Sequence, residues 1–248
     1  MNSLSIIHEN ILTIEKDYAR VKSNIQEKLN EWSDLYVFDD AHNQIRYKTE
    51  GPLIPEDNGK IPISFLLSNP HPHSVKQGMF LSPNRIGRGN PFWDTLRNTG
   101  YFNYDGKIGA AGMIQNKYQS PFRLFMAVLL PFPSNFPDDL VDILGKAEYD
   151  ELLINGINTL KQLLLNNEIY HVVCFGKLQY DAISQVNAPN SYTTFLNQDK
   201  IIESRSNFAN DINIFLTYPT GWRFLKNARE LKVHSLKRIF QRIQLETM

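Results

Sequence analysis

The stretch IPISFLLSNP, residues 61–70, is a short apolar run that closes on Asn69-Pro70. A run of that length without polar alternation suits a strand buried on both faces, as in a parallel sheet. The proline then fixes the turn by which the chain leaves the sheet. Three further segments have the same character: FRLFMAVLL (122–130), stopped by Pro131-Phe132-Pro133, HVVCFG (171–176) and INIFLT (212–217). Helical signals lie between and after them. Phe92–Asn98 predicts a helix ended by Gly100. Leu152, Leu153, Ile157, Leu160 and Leu164 recur at helical spacing, and the tail from Trp222 to about Leu245 is helical again. Alternating strands and helices predict an α/β fold, a three-layer αβα arrangement around a central four-stranded, mostly parallel sheet. Ligands of such sheets sit at the carboxyl ends of the strands.

Upstream, Leu4, Ile7, Ile11, Ile14, Tyr18, Val21 and Ile25 recur at alternating spacings of three and four, and Trp32 and Leu35 extend the stripe. This predicts an N-terminal helical extension over residues 1–50, followed by the catalytic domain at 51–248. The stripe either packs on the core or pairs two chains as a heptad seam, so self-association through this helix is one expected partnership. Residues 36–60 are turn-rich, with Gly51, Pro52, Pro55, Asn58 and Gly59.

Composition narrows the function. The 248 residues are 42% hydrophobic and hold one cysteine, which excludes a disulfide scaffold, a cysteine-cage zinc site and a cysteine-ligated iron–sulfur cluster. The start shows no basic segment followed by an apolar core, and no apolar run is long enough to span a bilayer, so a cytoplasmic protein is expected. Lys and Arg number 26 against 26 Asp and Glu. That balance argues against a nucleic-acid partner only if charge is spread evenly, and it is not. Residues 221–248 carry seven basic residues against two acidic ones, a basic helix able to contact phosphates.

The strand-end rule selects three loops: SNPHPHSVKQGMF (68–80), PFPSNFPDD (131–139) and TYPTGWRF (217–224). Asn69 at the mouth of the first can orient a water without carrying charge, or can serve turn chemistry alone. His71 and His73 lack clustered carboxylate or cysteine partners, so no metal and no cofactor are expected. Phe80 is either core or a platform on which a planar ring stacks. The tight turn Tyr218-Pro219-Thr220-Gly221 presents Trp222 and Arg223, a pairing that suits a wedge in a base stack beside a phosphate contact. There is no nucleophile elbow, P-loop or dinucleotide fingerprint. Cys174, mid-strand, reads as an inert buried thiol.

Taken in order, these motifs resemble the uracil-DNA glycosylase superfamily, most closely its mismatch-specific uracil/thymine branch. FLLSNPHP (65–72) is similar to the family's first motif, Gly78-Met79-Phe80 to its base-stacking phenylalanine, and Phe92-Trp93 with Leu96 and Gly100 to its Phe-Trp helix. VVCFGKLQYDAI (172–183) resembles the strand running into a Gly-Lys and a helix, and YPTGWR (218–223) the second active-site motif. The resemblance covers residues 61–245. It implies a monofunctional DNA glycosylase that flips a base from duplex or single-stranded DNA and hydrolyses its N-glycosidic bond, leaving an abasic site. It implies Asn69 and Thr220 as catalytic residues. Ser68, His71, Phe80 and Tyr218 would contact the base, and Trp222, Arg223, Lys226 and Arg229 the DNA. Backbone N–H groups near residues 68–71 would help to stabilise the departing base. No lysine stands in the strand-end motifs to form a Schiff base, Lys76 being the nearest.

Two departures bear on the substrate. Uracil-specific members carry an Asn at the end of the second strand, where this chain has Leu130-Pro131-Phe132-Pro133; His71 and Tyr218 also replace smaller family residues. A modified cytosine, including the hypermodified bases of phages, is therefore a candidate substrate, and defence a candidate role beside repair. The rival readings are a uracil/thymine mismatch glycosylase and a catalytically silent nucleic-acid binder on the same fold.

Overall fold

The computed structural model describes residues 6–83, 89–104, 112, 115, 117–221 and 227–247. The chain is mixed α/β, with a five-stranded, mostly parallel sheet. Its strands are β4 (Ile61–Leu67), β5 (Phe122–Val128), β6 (His171–Cys174), β7 (Ile202–Arg205) and β8 (Asn213–Leu216), in the order β5-β4-β6-β8-β7. The first four strands expected from sequence are all present and mutually parallel; β7 adds an antiparallel edge to β8. Sequence reading missed β7 because it is four residues of alternating partial and full exposure, IESR. Short, charged edge strands carry no apolar run.

Side-chain alternation assigns the two faces. Phe65, Leu67, Met126, Val173 and Phe215 join a cluster with residues of α3 (Pro91–Asn98) and α8 (Ala228–Thr247). Leu66, Phe125, Val172, Cys174 and Ile214 join another with residues of α5 (Lys146–Asn166) and α6 (Lys177–Ile183). The α3 helix starts as its sequence dictates, with Pro91 at its first position and the Asn90 side chain accepting from the Phe92 N–H. Gly100 follows its end at φ +78°. The α5 helix crosses the exit of β5 so closely that a Cβ at Gly156 would stand 1.7 Å from the Leu129 carbonyl oxygen.

The N-terminal region corrects the sequence reading. The expected helical extension is instead a three-stranded antiparallel sheet, β1 (Ile7–Thr13), β2 (Tyr36–Asp39) and β3 (Gln44–Glu50), in the order β1-β3-β2. A single helix, α1 (Tyr18–Lys28), and a 3-10 segment (Asn30–Leu35) lie between β1 and β2. The stripe misled because Ile7, Ile11 and Ile14 fit a helical period while the local residues, rich in Ile, favour a strand. In the strand, Leu12 is buried and Ile11 is 55% exposed, the reverse of the helical stripe, which puts Ile11 on the buried face and leaves Leu12 off it. Among the described residues the stripe is therefore not one continuous helix, and Val21 and Ile25 of α1 are buried with Leu140, Ile143 and Leu144. Among the described residues no helix is long and apolar enough to cross a membrane.

Candidate functional site

In the parallel part of the sheet the connection from β4 runs outward to β5, whereas β6 leads the other way to β8. The switch falls between β4 and β6, and open sheets of this kind bind ligands at the carboxyl ends of the strands beside such a point. The four strand ends are tied in register beyond the strands themselves. Leu129 N–H donates to Leu67 O at 2.9 Å, Leu130 N–H to Ser68 O at 2.8 Å, Phe175 N–H to Leu66 O at 3.1 Å and Thr217 N–H to Cys174 O at 2.9 Å. This puts Ser68-Asn69, Phe175-Gly176 and Thr217–Thr220 on one edge; the first and last belong to loops selected from the sequence, and Phe175-Gly176 does not.

Asn69 is half-buried. Its Nδ2 donates to Ser134 Oγ at 2.8 Å and to Ser134 O at 3.0 Å, with Pro70 O at 3.3 Å. Oxygen lone pairs on that side fix the amide flip, so Oδ1 is the group's acceptor, with Ser68 Oγ 3.4 Å away. Ser134, 1% exposed, donates its own hydroxyl to Phe136 O at 2.6 Å. Sequence reading selected the loop that holds Ser134 but not the residue. Nothing in PFPSNF distinguishes a serine that meets Asn69 from one that meets water.

Gln179 is a second missed residue, 3% exposed on α6. With its amide oriented by the hydrogen-bond network, its oxygen accepts from the Ser68 N–H at 2.8 Å and its nitrogen donates to Gly176 O at 3.1 Å. The Ser68 N–H is thereby engaged, which removes it from the expected set of donors to a leaving group. Gly176 has φ +139°, and a Cβ there would meet the end of the Gln179 side-chain amide at 2.9 Å and Pro219 Cγ at 3.7 Å. Ser68, Gln179, Gly176 and the Tyr218-Pro219-Thr220 turn are thus contiguous.

The turn after β8 is anchored from below. Thr217 Oγ1 lies 2.9 Å from Ser235 Oγ of α8, and Lys232 Nζ donates to Thr220 O at 2.8 Å. Tyr218 is buried, donates to Asn197 Oδ1 at 2.6 Å, and has its hydroxyl pushed up to about 12 chiefly by burial. A cavity of about 10 Å³ lies among Phe92, Phe175, Thr217, Tyr218, Thr220 and Lys232. That is room for about one water and not for a base.

Phe80 is fully buried, in the same cluster as Phe65, Phe92 and Trp93, so its ring presents no free face to a ligand. His71 is exposed and caps α2 (Pro72–Gln77), its Nδ1 accepting from the His73 N–H at 3.1 Å. Its ring meets Trp32 edge-on at 6.1 Å. Trp222, Arg223 and Lys226 lie outside the described residues. Arg229 stands near the start of α8, where Asn98 Oδ1 accepts from its Nη2 at 3.1 Å and Asp94 Oδ2 is 3.7 Å away. The basic helix is compensated elsewhere too. Arg238 pairs with Asp199, and Arg242 with Glu203 at 3.2 Å and Glu246 at 3.0 Å.

No family model matches the chain, and no curated protein matches it either.

Proposed function

We propose that the chain is a monofunctional DNA glycosylase of the uracil-DNA glycosylase type, a three-layer αβα domain acting in the cytoplasm on a flipped base. The observation that carries this reading is the Asn69 amide at the switch point of the sheet. Its nitrogen is held by Ser134, and among the described residues its oxygen accepts only a long bond from Ser68 Oγ, at 3.4 Å. An uncharged acceptor at a strand end is what hydrolysis through an oxocarbenium-like state needs. The water is oriented toward C1′, its oxygen forms the new bond, the C1′–N bond breaks with its electron pair leaving on the base, and the proton the water gives up neutralises the departed base. On this reading the Thr220 turn, contiguous with Ser68 through Gln179 and Gly176, serves the sugar or its phosphate. The residues replacing the uracil-reading Asn, Leu130-Pro131-Phe132-Pro133, favour a modified cytosine over plain uracil, with defence as a role beside repair.

A second reading is favoured by a specific observation. Phe80 is fully buried and offers no face on which a base could stack, as expected of a nucleic-acid binder without catalysis. For the glycosylase, Phe80 must be uncovered when DNA binds, or another group must stack on the base. Asn69→Ala separates the two when tested on duplexes and single strands carrying uracil, thymine opposite guanine, hydroxymethylcytosine or its glucosylated forms. A glycosylase loses abasic-site formation by about a hundredfold or more while keeping DNA affinity. If wild type releases none of these bases yet binds DNA, the silent binder stands.

A further inference from the structure

The N-terminal sheet meets the carboxyl edge of the main sheet at the segment that follows β5. Tyr36 of β2 and Tyr47 of β3 are register partners, both buried. The Phe132 ring lies 5.5 Å from Tyr36, stacked at 26°, and 4.6 Å from Tyr47, tilted at 47°. The Tyr36 hydroxyl donates to Pro133 O at 2.7 Å. Pro131 and Pro133 have no N–H with which to anchor themselves, so this loop depends on what grips its rings and carbonyls. The next residue is Ser134. Its N–H donates to Pro70 O at 3.2 Å, and both its oxygens accept from Asn69 Nδ2.

We propose that the N-terminal sheet is a positioning element of the site. Tyr36 and Tyr47 clamp Phe132-Pro133, this sets Ser134, and Ser134 sets the Asn69 amide. Ser134 is the positioning residue and Tyr36 its brace. Burial raises the Tyr36 hydroxyl above its ordinary range, so it remains a donor at any working pH. The catalytic consequence rests on the glycosylase reading; the geometric one does not. Two variants remove one oxygen each, Ser134→Ala and Tyr36→Phe. Val37→Thr, on the outer side of β2 and 60% exposed, is the control.

The readouts are solvent exchange of the Asn69 side-chain amide protons by NMR, DNA affinity, and single-turnover base release. Both variants are expected to speed amide exchange severalfold. Ser134→Ala is expected to slow base release by roughly tenfold to a hundredfold with affinity changed less than about twofold. Val37→Thr moves none of the three. Unchanged Asn69 exchange in Tyr36→Phe overturns the brace, as does a parallel fall of affinity and release. If wild type releases no base from any substrate, the glycosylase reading falls and the exchange measurement alone decides the brace.

Discussion

Two oxygens of Ser134 face the Asn69 nitrogen at 2.8 and 3.0 Å, so a carboxylate at that position would set oxygen against oxygen. Asn69→Asp removes a donor and leaves a repelled charge, an expected loss of about 1–3 kcal/mol near neutral pH. The repulsion raises the folded-state pKa of the new Asp above its unfolded value, so the deficit shrinks as pH falls through that pKa. The difference in urea midpoint between variant and wild type, followed from pH 8 to pH 5, checks it. Glu50 shows the same physics in the native chain. It is 3% exposed, its Oε1 has no hydrogen-bond partner among the described residues, and desolvation by burial pushes its carboxyl up to about 8. Between about pH 4.5 and 8 the folded chain keeps a proton that the unfolded chain has released, so stability falls as pH rises through that window. Glu50→Gln is expected to flatten this decline and to raise stability at pH 8 by on the order of 2 kcal/mol. Denaturant midpoints across that window give the measurement.

Elements were legible where their own residues decide them. The strands β4, β5, β6 and β8 are apolar along most of their length, and α3 carries its proline start and glycine stop. The α5 helix was legible from leucine spacing, but its seating was not. Gly156 reads as a helix weakness in sequence, yet it is the point where α5 touches the β5 exit. Gly156→Ala therefore does not gain helix propensity. It forces the helix from Leu129 O and is expected to cost about 3 kcal/mol or more, read as a lowered urea midpoint. The β1 strand was misread because a seven-residue segment with three-four spacing satisfies two periods. Pairing with β3, which lies more than thirty residues away, decided between them.

Across the whole molecule, zero formal charge hides a basic C-terminal segment that is compensated in part. Among the described residues, the excess on residues 221–248 is partly offset in space by Asp94, Asp199 and Glu203, which come from three other segments. Arg242→Gln is expected to leave DNA affinity within about twofold and the slope of log affinity against log salt unchanged, because Arg242 already serves Glu203 and Glu246. A salt titration of DNA binding in wild type and variant measures both; a slope lower by about one would assign Arg242 to a phosphate. By itself, the sequence determined the parallel strands, the helices with clear caps and the loops at the strand ends, because neighbouring residues carry those signals. The tertiary structure alone decided the N-terminal sheet, the orientation of the Asn69 amide and the ion pairs that partly compensate the basic helix. Each depends on a partner distant in the chain, 65 residues away for Asn69 and Ser134 and 39 for Arg242 and Glu203, and only packing brings such partners together.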